Sequence, residues 1–280
     1  MSATVDAHVH LWNRALDPQD WIDPATMGPI DRDFGPDDLA EHLAATGVEA
    51  AVVVQSSNSL EETLRLVALD GPAIGAVVGW VDLCADVPAQ LARVEGAAKK
   101  PLVGIRHLAH IDPDPEWLLR PDVGRGLAAL ADRGKTFDLV VRDWQLPQAS
   151  RVAAAHEGLR FVLDHLAGPP SDPVERRRWA DDLHELARRP NVVAKLSGLV
   201  SGLEPGTWGV EDLRAPVEVA LEAFGPGRIL YGSDWPLVEL GGGGRAWRAA
   251  VDELLAGLSA DDVDRVLGAN AARVYGTGAL

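Results

Sequence analysis

Eight short apolar runs, each followed by a longer segment with helical periodicity, constrain the fold of this chain more than any other feature. Alternating strands and helices predict a parallel sheet, because a helical crossover is what returns the chain to pair in parallel. Eight such units close a TIM barrel. We therefore expect an α/β fold, a distorted (β/α)8 TIM barrel forming a single domain over residues 1–280. The runs cover residues 4–10, 49–55, 74–81, 102–108, 136–142, 159–165, 191–197 and 228–234.

A doubly wound open sheet is the main alternative to the barrel. That fold more often has a glycine-rich turn after its first strand. Here the turn carries His8-Val9-His10-Leu11-Trp12 instead. We also expect a long first loop over residues 11–35, which is longer than an ordinary strand-to-helix connection and could cover a pocket.

The charge balance of the chain excludes several kinds of partner. It has 26 basic and 42 acidic residues, a net charge of −16, which repels phosphate backbones and anionic lipid surfaces. We expect neither nucleic acid nor membrane as a partner. The one cysteine, Cys84, allows no internal disulfide and no cysteine-based metal cluster, so a reducing cytoplasm is predicted. A homo-oligomer is left open.

Polar side chains stand at the ends of the predicted strands. In a barrel the carboxyl ends of all strands meet on one face, where the active groups of such enzymes lie. The helical segments, by contrast, carry ordinary surface charges. The polar and aromatic residues at the strand ends are His8, His10, Gln55, Trp80, Arg106, His107, Arg142, His165, Lys195 and Asp234.

Two histidines end the first strand. Side chains alternate along a strand, so His8 and His10 are expected on the face that also carries Asp6, with their imidazoles converging near the barrel mouth. A pair of buried structural histidines is the alternative. Burying both without a purpose would cost free energy, and matching groups on other strands favour a functional pair.

Asp234 and His165 end the last and the sixth strands. Asp234 lies in RILYGSDWP, where the glycine allows close backbone approach and the proline stops the strand. An Asx turn or a helix N-cap is the alternative role for this aspartate. His165 lies in FVLDHLAGP, and its neighbour Asp164 is interpreted as a local hydrogen-bond partner rather than a catalyst.

Three basic residues and three tryptophans are candidates for substrate binding. Arg106 and Arg142 would anchor a carboxylate or lactone oxygens if they face the pocket, and would form outward salt bridges if they do not. For Lys195, a structural ion pair is as good an interpretation as a site role. The three tryptophans are Trp12, Trp80 and Trp235, which together with Trp144 could wall a pocket for a ring-shaped or sugar-like ligand.

Six motifs in this order resemble the amidohydrolase superfamily. They are DAHVHLW, GIRHL, TFDLVVR, FVLDHLAGP, AKLSGL and YGSDWPL, and the resemblance extends from Val5 to the GANAARVYG segment at 268–276. They are most similar to the lactonase branch, which hydrolyses sugar lactones and pyrone dicarboxylate. The resemblance implies a distorted barrel with a site built from His8, His10, His165 and Asp234.

The chain departs from the binuclear members of that superfamily. Those members place a bridging lysine on strand four and a histidine on strand five, where Arg106 and Arg142 stand here. One divalent metal, most simply zinc, could still be held by His8, His10 and Asp234, with His165 as a further ligand. The lactonase branch includes members that work without metal, and we expect this chain to require no cofactor.

The function predicted from these residues is hydrolysis of a lactone, with a sugar (aldono) lactone as the small-molecule partner. Asp234 would act as general base on a water, with a pKa raised above its ordinary value of about 3.9 by a confined site. His8, His10 and His165 would polarise the lactone carbonyl and stabilise the oxyanion. The alternatives are a mononuclear zinc-dependent decarboxylase and a non-catalytic barrel that binds a metabolite.

Overall fold

The computed structural model describes residues 2–276 and confirms the predicted (β/α)8 barrel. Eight parallel strands pair in the order of the sequence, and each predicted run contains one of them. The strands are β1 (Val5–Val9), β2 (Ala50–Val54), β3 (Ile74–Gly79), β4 (Leu102–His107), β5 (Thr136–Leu139), β6 (Arg160–Leu163), β7 (Val192–Leu196) and β8 (Ile229–Tyr231).

Helices surround the strands and begin with favourable N-terminal groups. Ser59, Asp86, Asp172 and Ser259 each cap the helix that follows by accepting a backbone N–H from its first turn. The helices are α1 (Pro36–Thr46), α2 (Leu60–Val67), α3 (Val87–Ala97), α4 (Pro121–Asp132), α5 (Leu146–Ala155), α6 (Pro173–Ala187), α7 (Val210–Phe224), α8 (Gly244–Leu254), α9 (Ala260–Asp264) and α10 (Asn270–Tyr275).

The strands are buried on both faces, which explains why they appear in the sequence as continuous apolar runs rather than as alternating patterns. One cluster of small apolar side chains fills the lower barrel and includes Val54, Val78 and Leu230, with Tyr275 of α10 packed against it. A larger cluster lies between the strands and the helices. No helix in the described range is long and apolar enough to cross a membrane.

The barrel is distorted where its first and last strands meet. Strand β8 is only three residues long, and the segment after it completes the closure. The Asp234 N–H donates to the His8 carbonyl at 2.9 Å, and the His10 N–H donates to the Trp235 carbonyl at 2.6 Å. A parallel bridge joins Val9 to Trp235. Three of the four residues predicted to be catalytic, His8, His10 and Asp234, therefore also form the seam between the first and last strands.

A register shift in β1 corrects one sequence-based expectation. Pairing with β2 changes register between Asp6 and Val9, which marks a β-bulge. Asp6 consequently does not share a face with His8. Its carboxylate Oδ1 accepts the backbone N–H groups of His8 and Ser233 at 3.1 and 2.9 Å, and its Oδ2 lies 3.8 Å from Nε2 of His42 on α1. Asp6 thus supports the seam from the side of the helices.

The first loop, residues 11–35, is tied to the barrel by side-chain contacts. The Trp12 indole N–H donates to the Arg32 carbonyl at 2.8 Å, and Gln19 donates to the Ser56 hydroxyl at 2.9 Å. Gln19 also accepts the indole N–H of Trp21 at 2.9 Å. These bonds hold two tryptophans of the loop over the mouth of the barrel.

Candidate active site

Three imidazoles surround one carboxylate oxygen at the mouth of the barrel. Oδ1 of Asp234 lies 3.4 Å from Nε2 of His10, 3.7 Å from Nε2 of His8 and 3.8 Å from Nε2 of His165. The Nε2 atoms of His8 and His10 are 3.2 Å apart. All four predicted catalytic residues are therefore brought together by strands that are distant in the sequence.

The backbone after β8 presents Asp234 to this ring. Asp234 has a φ of 61°, in the left-handed region that few residues other than glycine adopt. Its Oδ2 accepts a hydrogen bond from the Ser201 hydroxyl at 3.1 Å, while Oδ1 has no hydrogen-bond partner among the described residues. The side chain makes neither an Asx turn nor a helix cap, so its burial has no local structural explanation.

His165 also depends on an unusual backbone. It begins a left-handed stretch of four residues after β6, with a φ of 54°. Its Nδ1 pairs with the Ser197 hydroxyl at 2.9 Å, and the ring packs on Gly198, where an added Cβ would lie 2.4 Å from Nδ1. Ser197 and Gly198, in the AKLSGL motif, therefore position the imidazole.

The pKa of Asp234 contradicts the sequence-based expectation. Burial alone would raise it, but His165, His10 and His8 together outweigh that effect and lower the pKa of Asp234 below its ordinary value. Burial lowers the pKa of His8 well below its usual range, and it lowers that of His165 as well. These shifts favour an ionised Asp234 carboxylate beside neutral His8 and His165.

Three atoms of this ring, from His8, His10 and Asp234, also have the spacing of a metal site. Zinc ligands at 2.0–2.1 Å in a tetrahedron lie about 3.3 Å from one another. The separations among Nε2 of His8, Nε2 of His10 and Oδ1 of Asp234 are 3.2, 3.4 and 3.7 Å. Oδ1 of Asp234 is buried without a hydrogen-bond partner among residues 2–276, and these three residues fit one divalent metal.

A buried network of charges lies beneath His8. Lys195 donates to Asp138 at 2.6 Å and lies 2.9 Å from Oδ1 of Asp164. Arg106 donates to Oδ2 of Asp164 at 3.0 Å and also to Gln55. The Tyr275 hydroxyl donates to Asp138 at 2.7 Å. Lys195 thus has the structural ion pairs that the sequence left open.

The charges in this network support one another. Burial alone would raise the pKa of Asp164, but Lys195, His8 and Arg106 hold it well below its usual range. Burial raises the pKa of Asp138, opposed by Lys195. Asp164 is therefore ionised. It contacts Lys195, Arg106 and His8 rather than a single local partner.

A cavity of about 470 Å³ opens above the ring of imidazoles. Arg142 is exposed at its rim, and its guanidinium has no hydrogen-bond partner within the described range. The residues predicted from the sequence that line the cavity are His10, Trp12, Arg106, Arg142, His165 and Asp234.

Three predicted substrate-binding residues do not line this cavity. Lys195 is fully buried beneath His8. Trp80 donates its indole N–H to Nδ1 of His107 at 3.1 Å. Trp235 faces a second cavity, where it stacks on His42 with ring centroids 5.1 Å apart. Their sequence positions at strand ends did not reveal which way each side chain points.

Several cavity residues were missed by the sequence analysis, His110 and Trp21 among them. His110 follows β4 in a short loop helix, and Trp21 reaches the cavity from the first loop, which was predicted only to cover a pocket. Neither stands at a strand end. The unusual length of the first loop was the one signal that could have identified Trp21.

Comparison with known proteins now places the chain among its relatives. The family model described as Amidohydrolase matches residues 5–277. The chain belongs to the amidohydrolase family. The resemblance inferred from the six motifs is confirmed over almost the whole length of the sequence.

Two curated relatives within this family are L-fucono-1,5-lactonases. The enzyme of Burkholderia ambifaria is 37% identical over 285 residues, which cover 99% of this chain and 93% of the relative. That of Burkholderia multivorans is 35% identical and covers 97% and 95%. A crystal structure of an amidohydrolase from Burkholderia multivorans with bound zinc superposes with a TM-score of 0.89, at 34% identity, over 98% of this chain and 99% of that one.

Proposed function

We propose that this amidohydrolase is a lactonase that opens an aldono-1,5-lactone to the corresponding aldonic acid, with Asp234 as the general base. The observation that carries the proposal is the carboxylate of Asp234 within a ring of three imidazoles at the floor of a cavity. Water adds to the lactone carbonyl, the ring C–O bond breaks, and a hydroxy acid results. The L-fucono-1,5-lactonase relatives support this reaction class.

Asp234 handles the proton in both halves of the reaction. Its carboxylate accepts a proton from the attacking water, and the resulting acid gives that proton to the departing ring alkoxide. The lowered pKa of Asp234 makes it a weak base but a ready donor in the second step. Ser201 holds Oδ2, so that Oδ1 faces the imidazoles.

Histidine side chains are fixed in the orientation that this chemistry needs. Nδ1 of His10 pairs with the Val54 carbonyl at 2.8 Å, and Nδ1 of His165 pairs with Ser197 at 2.9 Å. In both cases Nε2 is left facing Asp234 and the cavity. When Ser197 donates to Nδ1 of His165, that imidazole presents Nε2–H to the charge that develops on the carbonyl oxygen. A neutral His10 presents the lone pair of Nε2 instead, which suits a metal ion.

His8, His10 and Asp234, with His165 beside them, would hold one divalent metal. When bound, such a metal polarises a carbonyl and lowers the pKa of water. The spacing of the ligand atoms and the zinc in the related crystal structure favour this view over the metal-free site that we expected from the sequence. Zinc is the metal that we propose.

The walls of the cavity suit a neutral sugar ring. Trp12 and Trp21 pack edge to face with centroids 6.1 Å apart and line one side. Arg142 at the rim can donate to ring hydroxyls. The L-fucono-1,5-lactone of the curated relatives is one such substrate. A chain with a single cysteine needs no oxidising compartment, which supports a cytoplasmic location.

The test is a panel of lactones read by proton release. It includes L-fucono-1,5-lactone, other aldono-1,5- and 1,4-lactones and carboxylated lactones, each with protein loaded with zinc and with protein treated with chelator. We expect turnover of 1,5-aldonolactones that falls on chelation and returns with zinc. Full activity after verified metal removal would reject the metal, and turnover of none of the lactones would reject the lactonase.

A further inference from the structure

A line of three contacts runs through the two histidines of β1. Nζ of Lys195 lies 3.2 Å from Nδ1 of His8, Nε2 of His8 lies 3.2 Å from Nε2 of His10, and Nδ1 of His10 lies 2.8 Å from the Val54 carbonyl. All of these side chains are buried. Each imidazole uses both of its nitrogens in the line.

The two ends of the line determine its direction. A carbonyl can only accept a hydrogen bond and an ammonium can only donate one. Nδ1 of His10 must therefore carry a proton, and in a neutral His10 the Nε2 atom then has a lone pair. If the proton of His8 is on Nε2, that N–H donates to Nε2 of His10. Nδ1 of His8 then accepts a hydrogen bond from Lys195. Lys195 at one end of the line and the Val54 carbonyl at the other thus both favour the tautomer of His8 with its proton on Nε2.

Asp164 and Arg106 support the opposite tautomer. Oδ1 of Asp164 lies 3.3 Å from Nδ1 of His8, so it can accept a proton there, and Nη1 of Arg106 lies 3.2 Å from Nε2 of His8. With the proton on Nδ1, however, the lone pairs of His8 and His10 face each other at 3.2 Å. A cation beside both nitrogens removes that repulsion.

We propose that Lys195 and Asp164 are positioning residues that set which nitrogen of His8 carries the proton. Without metal, Lys195 donates to Nδ1 and the proton is on Nε2. With a divalent metal at the ring of imidazoles, the proton is on Nδ1 and is donated to Asp164. His8 stays neutral in both states, and neither Lys195 nor Asp164 changes charge. The second state rests on the proposed metal site.

Lys195 and Asp164 should change the metal affinity of His8 in opposite directions. Metal binding has to end the hydrogen bond from Lys195 to His8 and replace it with one from His8 to Asp164. Lys195 therefore weakens metal binding and Asp164 strengthens it. Losing a carboxylate that orients a histidine ligand costs about ten- to a hundredfold in metal affinity.

The direct test is NMR of the full chain labelled with ¹⁵N-histidine, because the shifts of the two ring nitrogens report which one is protonated. The signals of His8 are assigned by their loss in His8→Gln. We expect Nε2–H in metal-free protein and Nδ1–H after one equivalent of zinc. Nδ1–H or a charged ring without metal, or an unchanged tautomer with zinc bound, would overturn the inference.

Calorimetry separates this inference from the proposed function. If zinc does not bind, the proposed metal site fails and with it the zinc-bound state of His8, while the metal-free tautomer still tests the role of Lys195. Conversely, zinc that binds and supports lactone hydrolysis with no tautomer change leaves the function intact and rejects the inference.

Variants give a second readout. Lys195→Met is expected to move the proton of His8 to Nδ1 and to tighten zinc binding, and Asp164→Asn is expected to weaken zinc binding by about ten- to a hundredfold. Lys135→Met is the control, since Lys135 binds the Leu102 carbonyl and Glu95 away from the site. Unchanged zinc affinity in folded Lys195→Met and Asp164→Asn would contradict the proposal. If either variant does not fold, the wild-type spectra decide.

Discussion

His8 and Asp234 are joined twice, once through the backbone and once through their side chains. The Asp234 N–H donates to the His8 carbonyl at 2.9 Å, and Nε2 of His8 lies 3.7 Å from Oδ1 of Asp234. The first contact closes the barrel and the second belongs to the ring of imidazoles. A change of side chain at Asp234 can therefore remove the chemistry while the backbone contact that closes the barrel remains.

Asp234→Asn should remove nearly all turnover and leave the fold intact, because an amide cannot accept the proton of the attacking water. We expect kcat to fall by far more than tenfold, which corresponds to ~1.4 kcal/mol of barrier. The measurement is lactone hydrolysis alongside thermal unfolding. Asp181→Asn, at an exposed position on α6, is the matched control. A variant that keeps a tenth of the rate would show that Asp234 is not the base.

Gly198→Ala should disturb His165. The left-handed backbone alone costs an alanine about 1–2 kcal/mol, and the new Cβ would lie 2.4 Å from the imidazole. Gly134→Ala is the control, because Gly134 has a similar φ of 63° and nothing within 4 Å of an added Cβ. We expect comparable backbone penalties in denaturant unfolding and a loss of kcat in Gly198→Ala alone. Equal activity in the two variants would remove His165 from the mechanism.

Arg142→Lys distinguishes neutral from carboxylated substrates. Because the Arg142 guanidinium is exposed at the cavity rim, it is free to pair with a ligand. With a carboxylated lactone, loss of a charge-assisted pair should lower kcat/KM by an amount equivalent to about 2–3 kcal/mol of transition-state stabilisation. With a neutral aldonolactone we expect a much smaller effect. Arg177→Lys, exposed on α6, controls for a general charge effect, and a large loss on the neutral substrate would contradict the neutral-sugar proposal.

Activity should persist to a pH below the ordinary pKa of histidine. Burial lowers the pKa of both His8 and His165, and the pKa of Asp234 is lowered by its histidine neighbours. His8 and His165 therefore stay neutral and the Asp234 carboxylate stays ionised as the pH falls through about 6.5, the ordinary pKa of histidine. We expect kcat/KM to remain level to below that pH and to fall only as these groups gain protons. An acid limb centred at or above 6.5, with the fold intact by circular dichroism, would contradict this assignment.

The barrel could be predicted from the sequence because buried parallel strands and their crossover helices have distinct patterns. Every predicted strand was found within three residues at either end. The four residues of the ring were predictable because each ends or follows a strand. The directions of Trp80, Trp235 and Lys195 were not, since a strand end alone does not tell which side of the barrel wall a side chain faces.

Backbone irregularities account for the remaining differences between the site predicted from the sequence and the site in the structure. The bulge in β1 moved Asp6 away from the histidines, and the left-handed residues at His165 and Asp234 aim their side chains into the mouth. Such features depend on neighbouring strands rather than on local propensity. The lowered pKa of Asp234 likewise needed the positions of three imidazoles from two other strands.

The seam between the first and last strands also bears on protein synthesis. A nascent chain that has emerged from the ribosome only through β7 already holds His8, His10 and His165, but its eighth strand and Asp234 have not yet been released. Contacts between such distant parts of a chain form late, since the intervening loop must first be ordered. Because the proposed site needs Asp234, we expect newly made chains to remain inactive until translation has delivered the last barrel strand.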